Sequence, residues 1–137
     1  MSIHKVNAAL VQAYQAMGLG LPTAYETRDF TPPANAPYAS LVNLPASLDP
    51  DTLGAGGQDL YVGVFQIDFH VPENTGTKQL LDWADATRTY FCAGRTLLYN
   101  GQAVRVRKTQ PSSIRRAEGG GRFTISLSVT WNAWLPR

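Results

Sequence analysis

The sequence has one cysteine, two histidines and no long apolar run, and each scarcity argues against a class of protein. The single cysteine, Cys92, excludes an intramolecular disulfide and any zinc site that needs several cysteines. Cys92 lies in an apolar helical stretch away from both histidines, so a buried small side chain is favoured over an activated nucleophile. No segment approaches the roughly 18 apolar residues of a membrane span, and no signal-peptide pattern is present. We therefore expect a cytoplasmic protein without a membrane partner.

Motifs for catalysis, cofactors and metals are also missing. The glycine-rich stretch Leu53 to Gln58 lacks the Gly-Lys-Ser/Thr ending of a phosphate-binding loop, and a strand follows it instead of a helix. There is no Gly-x-Ser-x-Gly motif for a serine nucleophile. Asp68 and His70 lie two residues apart on a predicted strand and share a face, but no third metal ligand has compatible spacing. We expect no enzyme, no cofactor and no metal, and a function in binding and assembly.

Charge is divided unevenly along a chain whose length fits one domain, residues 1–137. Residues 1–87 carry three basic and nine acidic groups, a net charge of −6, whereas residues 88–137 carry nine basic groups and one acidic group, a net charge of +8. Such a division suits head-to-tail contact between copies or a basic face toward an acidic partner. The alternative is that folding intermixes the two segments.

Hydrophobic periodicity predicts two helices and several strands. Helical spacing of apolar residues indicates helices at Ser2 to Met17 and at Thr77 to Ala93. Alternation indicates strands at Tyr38 to Leu44, Leu60 to Val71, Thr96 to Tyr99, Gln102 to Thr109 and Arg122 to Trp134. The last strand places Ile125 and Leu127 inward, and Thr124 and Ser126 outward. The predicted fold class is α+β, with an antiparallel or mixed sheet of about four to five strands and two helices packed on one face.

Residues 46–59 have no periodicity. This stretch contains Pro50 and three glycines, so we expect a mobile loop there.

The second half of the chain has a group of basic residues. Arg105 and Arg107 alternate with Val104 and Val106, so both arginines stand on one sheet face, and Lys108, Arg115 and Arg116 follow. Guanidinium groups bind carboxylates and phosphates, which fits contact with an acidic partner subunit or with DNA. The alternative is a solvated charged edge that protects the sheet from aggregation.

Two long segments resemble a known family. A short N-terminal helix leads to PTAYETRDFTPPANAPYASLVNLP (Pro22 to Pro45), and TLGAGGQDLYVGVFQIDFHVPENTG (Thr52 to Gly76) follows. The most specific piece is a leucine-glycine loop followed by the strand Gly-x-Phe-Gln-Ile-Asp, here Gly63 to Asp68. This arrangement resembles the tail terminator (minor tail) proteins of long, non-contractile-tailed bacteriophages and prophages.

The resemblance implies a structural virion protein that forms a hexameric ring on the finished tail tube, stops tube growth and offers a docking surface to the head. It implies assembly in the bacterial host cytoplasm, with the major tail tube protein and a head-completion protein as partners and DNA passing through the lumen. Its assembly loop would be disordered in the free monomer and would include Leu48, Asp49, Asp51, Leu53, Gly54, Gly56 and Gly57. The alternatives are a head–tail connector, a tail-tube subunit, or a nonspecific DNA-binding module.

Overall fold

The computed structural model describes residues 3–116 and 120–137, in which two helices pack against one mixed sheet. The elements are α1 (Ile3–Ala16), β1 (Thr23–Ala24), β2 (Tyr38–Pro50), β3 (Gln58–Pro72), α2 (Lys78–Tyr90), β4 (Thr96–Tyr99), β5 (Gln102–Pro111), β6 (Arg115–Arg116) and β7 (Arg122–Pro136). The strand order is β1-β2-β3-β7-β5-β4, with β6 also paired to β7. Only the β1–β2 pair is parallel among these strands.

The α+β class is confirmed, but the sheet has seven strands in the described residues instead of four to five. The additional strands β1 and β6 have two residues each, which is too short for an alternating pattern to appear in the sequence. The first residue of the predicted N-terminal helix, Ser2, lies outside the described residues.

The core lies on the inward face of the two longest strands. β3 and β7 pair along their whole length, from Gln58 opposite Pro136 to Pro72 opposite Arg122. Alternate side chains of both strands are buried on this face, because successive residues of a strand point to opposite sides. These side chains are Tyr61, Phe65, Ile67, Phe69, Val71, Ile125, Leu127, Val129 and Trp131.

Both helices cover the inward face, as predicted. α1 buries Val6 and Leu10, and α2 buries Leu80. The ring of Trp83 on α2 lies 5.5 Å from that of Phe69 on β3. The outward face of the sheet therefore has no helix over it within residues 3–116 and 120–137. Neither helix in that part of the chain is long and apolar enough to cross a membrane.

The prediction of a loop over residues 46–59 is wrong in its extent. β2 continues to Pro50 and β3 begins at Gln58, so the turn is limited to residues 51–57. Pro45 lies at a shift in strand register, and Pro50 lies at the end of β2, where β1 no longer pairs with it. Proline is tolerated at both places because no ladder hydrogen bond is lost. The mobility of this turn stays a prediction.

Two further local predictions have different outcomes. The strands predicted at Thr96 to Tyr99 and Gln102 to Thr109 are confirmed, and they pair as a hairpin: Asn100 and Gly101 between them have positive φ, 46° and 83°, as the favoured two-residue turn requires. Cys92, predicted to be buried, is exposed, because α2 ends at Tyr90 and Cys92 lies in the turn before β4.

Candidate assembly surface

Three residues of the predicted basic group meet on the outward face of the sheet. Val104 and Val106 are fully buried. Arg105, which lies between them, and Arg107, which follows Val106, are exposed. The pairing of β5 with β7 shifts between Val106 and Lys108, so that Lys108 lies opposite Thr130 and stays on the outward face. We call Arg105, Arg107 and Lys108 the basic group.

The basic group has no carboxylate partner among the described residues. The Arg107 guanidinium donates only a long hydrogen bond, 3.4 Å, to Asn132 Oδ1. Asn132 lies opposite Arg105 and is buried, and its Nδ2 finds no acceptor in the part of the chain that the structure describes. Exposed positive charges without local partners are available to an acidic surface of another molecule.

The other two predicted basic residues lie elsewhere. Arg115 on β6 is opposite Thr124, eight residues along β7 from Asn132, which corresponds to about 26 Å. Its guanidinium donates to Ser126 Oγ at 2.8 Å. Arg116 forms an ion pair with Glu73. The structure therefore does not place Arg115 and Arg116 with the basic group.

The acidic and basic halves of the sequence are partly intermixed by folding. Of the ion pairs within the described residues, Arg116–Glu73 and Arg137–Asp59 each join a basic residue of the second part to an acidic residue of the first. Folding thus brings some of the opposite charges of the two parts together. The basic group differs, because its charges have no carboxylate partner among the described residues.

The predicted assembly-loop residues lie at and beside the turn between β2 and β3. Leu48 and Asp49 belong to β2, and the turn contains Asp51, Leu53, Gly54, Gly56 and Gly57. The Leu53 side chain is 91% exposed. We call residues 51–57 the tip.

The C-terminal end of β7 holds the tip in place. The Arg137 guanidinium donates to the carbonyl oxygens of Gly54 at 2.8 Å and of Gln58 at 3.1 Å, and also to that of Thr52. Trp134 Nε1 donates to Asp51 Oδ2 at 3.0 Å. Sequence reasoning missed these contacts, because they join residues about 80 positions apart without any local pattern.

An apolar patch lies on the outward face and reaches the basic group at Leu98 and Trp134. Leu98 is 69% exposed and Leu44 is 48% exposed, and Trp134 lies opposite Leu60 in the next pair of strands. We define the outer apolar patch as Leu44, Leu60, Val62, Leu98 and Trp134. Sequence reasoning missed it because each strand contributes only one or two members.

A histidine joins three strands at the far end of the same face. His70 Nε2 lies 3.0 Å from Ser40 Oγ, His70 Nδ1 lies 2.8 Å from Thr124 Oγ1, and the ring stacks on Tyr38 at 4.3 Å. Thr124, predicted to face solvent, points outward but is buried. No three His, Cys, Asp or Glu side chains come together as a metal site in residues 3–116 and 120–137.

The pKa of His70 is lowered from 6.5, chiefly because burial disfavours the charged ring; the Asp68 carboxylate opposes this, and Arg122 and Arg115 add to it. The folded protein thus binds the His70 proton less tightly than the unfolded chain does. Neutral His70 therefore contributes to the free energy of unfolding. This contribution is fully present above about pH 6.5 and is lost as the pH falls through the lower pKa of His70 in the folded state.

We expect the free energy of unfolding to fall between pH 7.5 and pH 5.5 by less in His70→Gln than in the wild type, as measured by urea denaturation. His4→Gln, which changes an exposed histidine, is the control and should keep the wild-type pH dependence. Equal pH dependence in wild type and His70→Gln would contradict the assignment.

Comparisons with known proteins identify the family of the chain. The family model described as phage tail terminator protein matches residues 5–131. One solved structure is 26% identical to this chain, and the match covers 97% of this chain and 96% of that chain with a TM-score of 0.75. Comparison with curated proteins gives no match. Since the family model spans nearly all of the sequence, the chain belongs to the phage tail terminator family, whose members are structural components of the phage tail.

Proposed function

We propose that this protein forms a ring, of six copies, on the end of the phage tail tube, where it stops tube polymerisation and provides the surface that joins the head. Membership of the tail terminator family supports a role at the tail. The observation that carries the proposal is the outward face, on which three unpaired basic side chains lie beside exposed Leu98 and Trp134. A contiguous surface of this kind marks a site of protein association.

The charge of this surface favours a ring over a two-fold dimer. In a two-fold dimer the same patch meets itself, and the basic group would oppose a second basic group. In a ring each copy uses two different surfaces, so that a basic surface can meet an acidic one. Each exposed ion pair contributes only about 0.2 to 1 kcal/mol, but the contact is repeated at every interface of a closed ring.

In this proposal the ring contacts the major tail tube protein on one side and a head-completion protein on the other, and DNA passes through its lumen. The protein is part of the virion and assembles in the cytoplasm of the bacterial host. A head–tail connector or a tail-tube subunit would use the same kind of surface. These roles differ in the stage at which assembly stops when the protein is absent from the infected cell. Loss of a terminator is expected to leave tubes of uncontrolled length.

The test reverses two charges of the basic group. Arg105→Glu combined with Arg107→Glu should leave the chain folded, since both side chains are exposed, but should abolish ring formation and tail completion. Circular dichroism checks the fold, electron microscopy of purified protein and of lysates checks rings and tails, and plaque counts check infectivity. Arg28→Glu, at an exposed arginine on the connector between β1 and β2, is the charge control.

Normal rings and infectious particles from the double variant would contradict the proposal for this surface. The DNA-binding alternative predicts a different result. In that case the wild type would bind duplex DNA with an affinity that falls steeply with salt, and the double variant would lose this binding while rings stay intact.

A further inference from the structure

We propose that the acidic surface which receives the basic group is the exposed side of α2 on the next copy of the chain, with Asp85 and Leu81 at its centre. This inference rests on the proposed ring and adds the identity of the second surface.

The two surfaces of one copy face in opposite directions. α2 packs on the inward face of the sheet through Leu80 and Ala84, and its other side exposes Leu81 and Asp85. The basic group stands on the outward face of the same sheet. One copy can therefore place its sheet face on the helix side of the next, in a back-to-front contact that repeats around a ring.

Most other carboxylates of the described residues already have a partner. Asp59, Glu73 and Asp82 are in ion pairs. Three more accept hydrogen bonds from neutral donors: Asp51 from Trp134, Glu26 from the Asn43 backbone and Asp68 from Gln66.

Three carboxylates remain without a partner in the part of the chain that the structure describes, namely Asp29, Asp49 and Asp85. Asp29 directly follows Arg28, whose charge offsets its own. Asp49 lies opposite Leu60 on the outward face, the same side as the basic group. Asp85 lies on α2, on the opposite side of the sheet from the basic group.

Asp85 also lines a cleft of mixed character between α2 and the connector that follows β5. The cleft has a volume of about 530 Å³, and Leu81, Pro111, Ile114 and Ile125 line it together with Ser112 and Ser113. Leu81 is 48% exposed there although it is a large apolar side chain. An incoming apolar side chain would cover Leu81 and remove apolar area from water.

On the outward face, an apolar side chain lies near a positive charge at a spacing similar to that between Leu81 and Asp85. Thr96 lies opposite Arg105 and Leu98 lies opposite Ala103, so Leu98 and Arg105 are diagonal neighbours about 7 to 8 Å apart. Leu81 and Asp85 are one helical turn apart, with about 5 to 6 Å between their Cβ atoms. Leu98 can therefore enter the cleft beside Leu81 while the long Arg105 side chain reaches the Asp85 carboxylate.

The experiment exchanges the two charges. Arg105→Asp and Asp85→Arg, each made alone in the full chain, should raise the protein concentration needed for rings by at least about tenfold, because each places like charges together. The variant with both substitutions should restore rings and infectious particles to near the wild-type level. Sedimentation velocity measures ring formation by purified protein, and plaque counts of phage with the same substitutions measure tail completion.

Matched substitutions control for charge and for folding. Asp29→Arg makes the same change of charge at another unpaired, exposed acid and should assemble normally. Leu98→Ser and Leu81→Ser should each weaken ring formation without any change of charge, and circular dichroism should show all variants folded.

The outcomes separate this inference from the proposed function. If wild-type rings form and Asp85→Arg assembles as well as the wild type, the α2 surface is not the receptor and the ring proposal stands. If both single variants fail and the exchange does not restore assembly, the Arg105–Asp85 contact is likewise excluded. If the wild type neither forms rings nor completes tails, the proposed function itself fails.

Discussion

Replacement of Trp131 by alanine is expected to lower the free energy of unfolding by about 3 to 5 kcal/mol, which is the range for truncating a fully buried large aromatic side chain. Trp131 has no exposed surface and is the largest of the fully buried side chains in the described residues. Its ring meets the Tyr61 ring edge-on at 4.9 Å. Its Nε1 donates to Asn43 Oδ1 at 3.1 Å and so ties β7 to β2 across β3.

Chemical denaturation of two further variants separates the causes of this loss. Trp131→Phe keeps most of the aromatic contact but removes the N–H that donates to Asn43 Oδ1. It should therefore lower the free energy of unfolding by less than the alanine variant does. About 1 to 3 kcal/mol of its loss should come from Asn43 Oδ1, which is left without a donor. Trp134→Ala changes a tryptophan that is 42% exposed and should cost clearly less than Trp131→Ala. A loss below about 1 kcal/mol for Trp131→Ala would show that Trp131 does not hold the three strands together.

The elements that could be predicted from the sequence are those with local signals. The alternation in β3 and β7 arises because one face of each strand is buried, and the periodicity of α1 and α2 has the same cause. Asn100-Gly101 specified its turn directly, since few residue pairs accept two positive φ angles. In each case the residues that decide the structure are close together in the sequence.

The elements that sequence analysis missed depend on distant partners. The second half of β2, from Ala46 to Pro50, has no alternation and contains a proline, yet it pairs with β3 as far as Asp59. The tip is held by Arg137, whose side-chain partners lie 78 to 85 residues earlier in the sequence. No pattern within a short stretch of sequence indicates such contacts, so residues 46–59 were predicted to form a loop.

The candidate assembly surface was predicted in part for the same reason. Alternation with buried valines correctly placed Arg105 and Arg107 on one outward face. The sequence could not show that Arg115 and Arg116 would pair beside a different part of β7, because β6 has only two residues. Nor could it show the outer apolar patch, since Leu44, Leu98 and Trp134 come from three separate strands that pairing places on one face.

The motif Gly63 to Asp68 within β3 begins with a glycine, and the surroundings of Gly63 explain why. A Cβ atom at Gly63 would lie 2.7 Å from Trp131 Cζ2, 2.9 Å from the Leu44 carbonyl oxygen and 2.9 Å from Pro45 Cα. Two of these three atoms are backbone atoms of β2 next to the register shift after Pro45, and they cannot move without breaking the pairing of β2 with β3.

Gly63→Val is therefore expected to lower the free energy of unfolding by about 3 kcal/mol or more, at or beyond the upper end of the cost of overpacking a well-packed site. Gly63→Ala should lose less, because it adds one carbon at the same crowded position, and urea denaturation monitored by tryptophan fluorescence measures both. Gly56→Ala is the matched control in the same hairpin: its Cβ would meet nothing within 4 Å, so its stability should stay within about 0.5 kcal/mol of the wild type. Wild-type stability in Gly63→Val would mean that β2 does not pass close to β3 at this position.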